Sequence, residues 1–117
     1  MNPYGKKGCP EHQKKIKEIG FEIERRGLIV FFEFLFRIRG GKKKSRFADV
    51  VGFKGNKLTE VHQVGITNAN GTPVKRELDA ADDIENKSEY KDISVQFHKF
   101  SKILLLVLAV KTISLFL

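Results

Sequence analysis

Two acidic residues and a histidine lie on neighbouring segments that have the composition of β-strands. Asp49 belongs to the first segment, Glu60 and His62 belong to the second, and Gly55-Asn56 stands between them. A Gly-Asn pair in this setting is typical of a two-residue hairpin loop. Pairing across that loop places Val51 opposite Glu60 and Asp49 opposite His62. Because side chains alternate between the faces of a strand, we expect Asp49, Glu60 and His62 on one face.

Two carboxylates in this arrangement have the geometry of a metal site. Asp49 and Glu60 are predicted to be diagonal neighbours with Cβ atoms about 7 Å apart, a separation from which both can bind one hard cation such as Mg²⁺ or Mn²⁺. The alternative is a pair of solvated charges on a polar sheet face. The same face carries Val51, Phe53 and Leu58, and in such partly apolar surroundings two carboxylates repel each other unless a cation or a basic group compensates them.

A concentration of positive charge lies beside these acids. Between positions 37 and 46 there are six basic residues and no acidic one, and two more basic residues begin the second predicted helix. Positive side chains bind nucleic-acid phosphates and release counterions, which gives affinity without sequence preference. A solvated lysine loop is the alternative for this run. The predicted nucleic-acid-binding residues are Arg37, Arg39, Lys42, Lys43, Lys44, Arg46, Lys75 and Arg76.

The order of elements and three short segments resemble a known nuclease superfamily. The segments are RFADVVG (46–52), EVHQVG (60–65) and GTPVKRE (71–77). With Asp49 on the second strand and Glu60 on the third, residues 10–100 resemble the restriction-endonuclease-like PD-(D/E)xK nucleases. The three segments are similar to small nuclease domains found at the C-termini of bacterial polymorphic toxins. This resemblance implies an α/β (α+β) fold with an α-β-β-β-α-β core, in which helices flank a central mixed sheet.

The resemblance also implies an activity and a set of roles. The activity is Mg²⁺- or Mn²⁺-dependent hydrolysis of phosphodiester bonds, with DNA as the expected substrate and Asp49 and Glu60 as metal ligands. Glu22 on the first helix is a further candidate ligand, although its place beside the apolar stripe favours a solvated role. His62 occupies the position of the family's catalytic lysine, where it is expected to act as base or stabiliser, and Gln63 assists only if a bulge turns it to the same face. A toxin domain also implies a cognate inhibitor or immunity protein as partner.

The elements that position these residues follow from the pattern along the chain. Isoleucines at helical spacing between Pro10 and Gly27 predict a helix over 10–26. Aromatic and β-branched residues predict strands over 28–39, 47–54, 57–64 and 92–97, and the alternate residues from Leu28 to Ile38 are expected on one face of the first strand. Thr72-Pro73 predicts the N-terminus of a second helix that ends near Asn86.

Other polar residues are assigned to structural roles. The apolar stripe of the second helix is predicted to consist of Val74, Leu78, Ala81 and Ile84, with Glu77 inside it as a structural residue. His12 falls on the apolar face of the first helix and is expected in the core. His98 is expected to lie in the core or at the sheet edge.

Length, charge and cysteine content limit the remaining choices. The chain has 117 residues and a formal net charge of +8, which fits one domain with a phosphate-bearing or anionic partner. Cys9 is the only cysteine, which excludes an internal disulfide and a cysteine-based zinc site and fits a cytoplasmic location. We expect a flexible N-terminus (1–9), a nuclease-like domain (10–100) and an apolar tail (101–117).

The tail and two other functions stay open at this point. The apolar run from Ile103 to Leu117 contains Lys111 and is shorter than the roughly 20 residues of a membrane-spanning helix. The tail is therefore expected to pack as a strand or helix, with membrane association as the alternative. Besides the nuclease, the alternatives are a non-catalytic nucleic-acid-binding module of the same fold and a membrane-associated interaction protein.

Overall fold

The computed structural model describes residues 9–90 and 92–99. Two helices and four strands follow one another in the predicted α-β-β-β-α-β order. They are α1 (Pro10–Arg25), β1 (Ile29–Arg37), β2 (Ser45–Lys54), β3 (Lys57–Gly65), α2 (Lys75–Lys87) and β4 (Val95–Lys99). The prediction of this order is confirmed, and the predicted bounds of the first helix agree within one residue. The apolar tail predicted over 101–117 lies outside the described residues.

The strands form one four-stranded mixed sheet in the order β1-β2-β3-β4. β1 and β3 both run antiparallel to β2, and β4 lies parallel to β3 at the other edge. A parallel neighbour requires a crossover connection, which α2 provides between β3 and β4. The chain is therefore an α+β protein, as the coarse fold class predicts.

α1 packs on one face of the sheet through the predicted isoleucines. Ile16, Ile19 and Ile23 are buried against Val50 and Val64. Pro10 stands in the first turn, where its missing N–H costs nothing. The helix ends before Gly27, whose φ of +84° is a left-handed conformation that favours glycine.

The opposite face is covered by α2 and a second apolar cluster. Ile84 of α2 is fully buried with Phe36, Ala48, Val51 and Val61. α2 begins at Lys75, so the N-terminus predicted at Thr72-Pro73 is wrong by two residues. The hydroxyl of Thr72 instead donates to the Asn70 side chain at 2.7 Å, inside the preceding turn.

The buried face of α2 also differs from the predicted apolar stripe. Ala80, Asp83 and Ile84 are the buried residues of this helix, whereas Leu78 is 50% exposed. The predicted stripe was therefore right at Ile84 and wrong at Leu78.

β1 does not keep one set of alternate residues on one face. Val30 packs with the α1 cluster, and the Phe32 ring lies over Gly20 of α1, whereas Phe36 lies in the α2 cluster. Glu33 separates the two halves with a φ of +51°, an uncommon conformation for a residue other than glycine. This irregularity changes the face of the following side chains, so the predicted single apolar face of the first strand is wrong.

Candidate functional site

The β2–β3 hairpin contains a bulge that the predicted register lacked. Lys54 pairs with Lys57 and Phe53 with Leu58 as expected, but Gly52 then pairs with Glu60 and Val50 with His62. Thr59 is the extra residue, and its hydroxyl donates to the carbonyl of Gly52 at 3.0 Å. A bulge of one residue shifts every later pair. The predicted pairing of Asp49 with His62 and of Val51 with Glu60 is therefore wrong.

Glu60 and His62 belong to a hydrogen-bonded cluster at the C-terminal end of α1. The Glu60 carboxylate accepts two hydrogen bonds from the Arg26 guanidinium, at 2.6 and 2.9 Å. His62 Nε2 lies 2.8 Å from Glu60 Oε1, and His62 Nδ1 lies 2.8 Å from His98 Nε2. The Arg26 hydrogen bonds, with help from His62, lower the pKa of Glu60 to about 2.

This cluster removes Glu60 and His62 from the predicted metal site. Arg26 already supplies the positive charge that a metal ion would bring to Glu60. Asp49 lies at the other end of α1, where its Oδ2 atom is 3.7 Å from Nε2 of His12 in the first helical turn. The structure does not bring Glu60 and His62 together with Asp49, because the bulge advances them along β3. Glu22, the further candidate ligand, is half exposed and paired with Arg25 at 2.8 Å.

Gln63 takes the place beside Asp49. The Asp49 N–H donates to Gln63 Oε1 at 2.9 Å, and Gln63 Nε2 donates to the Phe47 carbonyl at 3.1 Å. The Val64 N–H in turn donates to Asp49 Oδ2 at 2.7 Å. The β2–β3 backbone pairing ends at Val50 and His62, although both strands continue. Side chains of Asp49 and Gln63 therefore satisfy backbone groups at the point where the two strands separate.

Glu77 of α2 lies near the same point, where β2 and β3 separate. Its Oε1 atom lies 3.0 Å from the position that a Cβ atom of Gly65 would occupy, so the absence of a side chain at Gly65 gives room for this close approach. Its side chain is 18% exposed and lies 3.9 Å from the Arg76 guanidinium. Glu77 is predicted from the sequence to have a structural role. The signal that could have identified it is a glutamate in the first turn of a helix, within an otherwise apolar stripe and directly after two basic residues.

Burial and nearby charges both shift the pKa values of the Asp49 and Glu77 carboxyl groups. Desolvation raises the pKa of Asp49, and the Val64 N–H and His12 only partly oppose it. Desolvation also raises the pKa of Glu77, and the negative charge of Asp49 raises it further, against Arg76 and His12. Raised carboxyl pKa values in a cleft are typical of functional sites, and a bound cation would favour the ionised form of both carboxyl groups.

Asp49, Gln63 and Glu77 line a cleft of about 710 Å³ whose wall is basic. Lys43, Arg46 and Arg76 are part of this wall. The Arg46 guanidinium is engaged by the buried Asp83 carboxylate at 2.8 Å, so its predicted contact with nucleic acid competes with a structural one. Lys75 pairs with Asp79 at 2.8 Å on the surface of α2. Among the other predicted phosphate contacts, Arg37, Arg39, Lys42 and Lys44 are exposed and do not line the cleft.

The donor atoms of the cleft suit Mg²⁺ in part. Within residues 9–90 and 92–99, no group of three or more His, Cys, Asp and Glu side chains is arranged to hold a metal ion. Mg²⁺ in proteins is commonly held by only one or two carboxylates, with water and substrate phosphate completing its shell. Asp49 and Glu77 supply two such carboxylates, whereas both polar atoms of the Gln63 amide are occupied by backbone groups.

Comparison with protein-family models, with curated proteins and with solved structures gives no significant match. In the part of the chain that the structure describes, neither helix has the length and apolar composition needed to cross a membrane.

Proposed function

We propose that this protein is a metal-dependent phosphodiester nuclease of the restriction-endonuclease-like fold, with DNA as the expected substrate. The observation that carries the proposal is the pair of half-buried carboxyl groups, Asp49 and Glu77, inside a cleft with a basic wall. A metal-dependent phosphodiesterase uses both features, because positive groups bind the backbone phosphate and carboxylates hold the cation.

The fold is compatible with this proposal. The four-stranded mixed sheet has a helix on each face, and Asp49 lies on β2 where β2 separates from β3. The element order agrees with that of the restriction-endonuclease-like nucleases that the sequence resembles. The cleft also contains Gln63 and Glu77 from the segments 60–65 and 71–77, which carry the same resemblance.

Six residues of the cleft have a definable role in the proposed reaction. Asp49 and Glu77 would hold the divalent cation, which supplies positive charge to offset the developing charge of the transition state. The Val64 N–H and the Gln63 amide fix the position of Asp49. Arg76 and Lys43 bind phosphate groups of the substrate.

The lysine of the resembled motif has no counterpart in this cleft. Two positions after Glu60 stands His62, which bonds to Glu60 and His98 instead, and two positions after Gln63 stands Gly65. His12 brings an imidazole near Asp49 and donates its Nε2 hydrogen to the Val64 carbonyl at 2.8 Å. We assign to His12 a supporting role in the charge balance of the cleft.

One assay tests the proposal directly. The purified protein is incubated with plasmid DNA and with RNA in Mg²⁺, in Mn²⁺ and in EDTA, together with the variants Asp49→Asn and Glu77→Gln. Asp79→Asn is the matched control, since Asp79 lies on the exposed side of α2 outside the cleft. We expect cleavage in Mg²⁺ or Mn²⁺ that EDTA, Asp49→Asn and Glu77→Gln abolish and Asp79→Asn preserves. Cleavage that survives EDTA or the first two variants would contradict the proposal.

A non-catalytic nucleic-acid-binding module is the second candidate. It is favoured by the missing lysine and by the two-carboxylate donor set in the described residues. The same assay separates it from the nuclease, because such a module shows salt-sensitive binding and no cleavage with either metal.

A further inference from the structure

Phe47 places an exposed aromatic ring in the wall of the cleft. It precedes Asp49 by two residues on β2, so the two side chains share a strand face about 6.6 Å apart along the backbone. Phe47 is 60% exposed, although phenylalanine is usually buried. Phe47 and Asp49 both line the 710 Å³ cleft.

The backbone of Phe47 is hydrogen-bonded, whereas its ring is exposed to solvent. The Phe47 carbonyl accepts the hydrogen bond from Gln63 Nε2 at 3.1 Å, and Phe47 is paired with Leu35 of β1. Leu35 is itself 45% exposed. The ring thus stands on a hydrogen-bonded strand beside an exposed apolar neighbour, in the same wall as Lys43 and Arg76.

An aromatic ring in the same wall as basic side chains suits an anion that also carries a nucleobase. Lys43 and Arg76 attract phosphate, whereas a phenyl ring gains little from a phosphate and much from the flat face of a nucleobase. Bases inside a duplex already stack on their neighbours on both faces. Only an unpaired base can offer its face to Phe47.

We propose that the cleft takes single-stranded nucleic acid, with one base stacked on Phe47 and the neighbouring phosphate bound by Lys43 and Arg76. This inference rests on the proposed function, since it defines the substrate class of the same cleft. Phe47 is then the residue that distinguishes unpaired from paired substrates. The basic wall contributes affinity for both.

Binding measured in EDTA tests this inference without requiring cleavage. A single-stranded oligonucleotide that contains 2-aminopurine reports stacking, because its fluorescence is quenched when the base stacks on an aromatic ring. We expect Phe47→Ala to weaken binding of this oligonucleotide by about 5- to 150-fold, which corresponds to the loss of one stacked base, and to remove the quenching. Binding of the same sequence as a duplex should not change.

Three further variants distinguish stacking from other effects. Phe47→Trp should retain binding and quenching because it keeps a π-face, and Phe47→Leu should lose both because it keeps only apolar area. Phe21→Ala is the matched control, since Phe21 is 67% exposed on α1 and does not line the cleft. It should leave binding unchanged.

The outcomes separate this inference from the proposed function. Quenched single-strand binding that depends on Phe47, without cleavage in any metal, supports the inference and contradicts the nuclease. Cleavage that depends on Asp49 and Glu77 but not on Phe47 supports the nuclease and overturns the inference. Equal loss of single-strand and duplex affinity in Phe47→Ala, or full binding by Phe47→Leu, would also overturn it.

Discussion

The carboxyl groups of Glu60, Asp49 and Glu77 lie in two contrasting electrostatic environments. Arg26 favours the ionised form of Glu60 and lowers its pKa to about 2. Burial disfavours the ionised forms of Asp49 and Glu77, and the pKa of each is raised. Glu60 already has an ion-pair partner in Arg26 and needs no cation, whereas the other two carboxyl groups remain poorly compensated. This contrast favours Glu77 over Glu60 as the carboxylate that acts together with Asp49.

Glu77→Gln is expected to stabilise the protein at neutral pH while lowering cleavage by about 10²-fold or more. A carboxyl group whose pKa is raised on folding binds its proton more tightly in the folded chain. Its ionisation therefore costs stability as pH rises above its ordinary pKa of 4.5. The gain from Glu77→Gln should appear above that pH and vanish well below it.

Thermal melts at neutral and acidic pH measure this gain. Asp79→Asn serves as the control, because Lys75 lowers the pKa of the exposed Asp79 and its removal should bring no gain. A Glu77→Gln protein less stable than the wild type at neutral pH would show that the carboxylate is compensated by a contact other than a cation.

Gln63→Ala should reduce cleavage by about 10²-fold through displacement of Asp49. The substitution leaves the Asp49 N–H and the Phe47 carbonyl without their present partner, which also costs about 1–3 kcal/mol of stability. Gln96→Ala on β4, an exposed amide that pairs in register with His62, is the control. The measurement is the cleavage rate beside the free energy of unfolding. Loss of stability with unchanged cleavage would limit Gln63 to a structural role.

At the scale of elements, the sequence predicted the order of helices and strands but not their irregularities. Gly55-Asn56 identified the hairpin loop because turns of this type need particular residues. No characteristic residue type in the sequence indicates the bulge at Thr59 or the change of side-chain face at Glu33, since neither residue is a glycine. Each depends on contacts with other elements, such as the hydroxyl of Thr59 on Gly52. Because this single-residue bulge in β3 was not predicted, Gln63 lies beside Asp49 where His62 was expected.

Gly52→Ala tests how closely α1 packs on the bulged hairpin. A Cβ atom at this position would lie 2.9 Å from the Ile23 side chain and 3.0 Å from that of Glu60. Both neighbours are buried, so we expect a loss of about 1–3 kcal/mol from overpacking. Denaturant unfolding measures it, and Thr59→Ala provides a comparison in which one hydrogen bond is lost without a clash. A Gly52→Ala protein as stable as the wild type would show that α1 moves freely over this strand.

At the scale of the whole molecule, the positive charge has more than one function. The chain carries 22 lysine and arginine residues against 14 aspartate and glutamate residues, a surplus that attracts nucleic acid at long range. Several basic groups are nevertheless tied to acids, among them Arg26 to Glu60 and Arg46 to Asp83. The sequence could show the surplus but not this division, because Glu60 and Asp83 are distant from their partners along the chain.

Lys43→Ala distinguishes local phosphate binding from the effect of net charge. Lys43 lines the cleft, whereas Lys54 is exposed on the β2–β3 hairpin away from it. Both substitutions remove one positive charge, so a purely long-range attraction would weaken equally in the two variants. If Lys43 contacts a phosphate of the bound strand, its removal lowers the slope of log affinity against log salt by about 0.7 for single-stranded nucleic acid, and Lys54→Ala leaves the slope unchanged. Binding titrations over a series of salt concentrations give both slopes. Equal slopes for the two variants would mean that the basic wall of the cleft makes no specific phosphate contact through Lys43, and that affinity arises from the field of the whole surface.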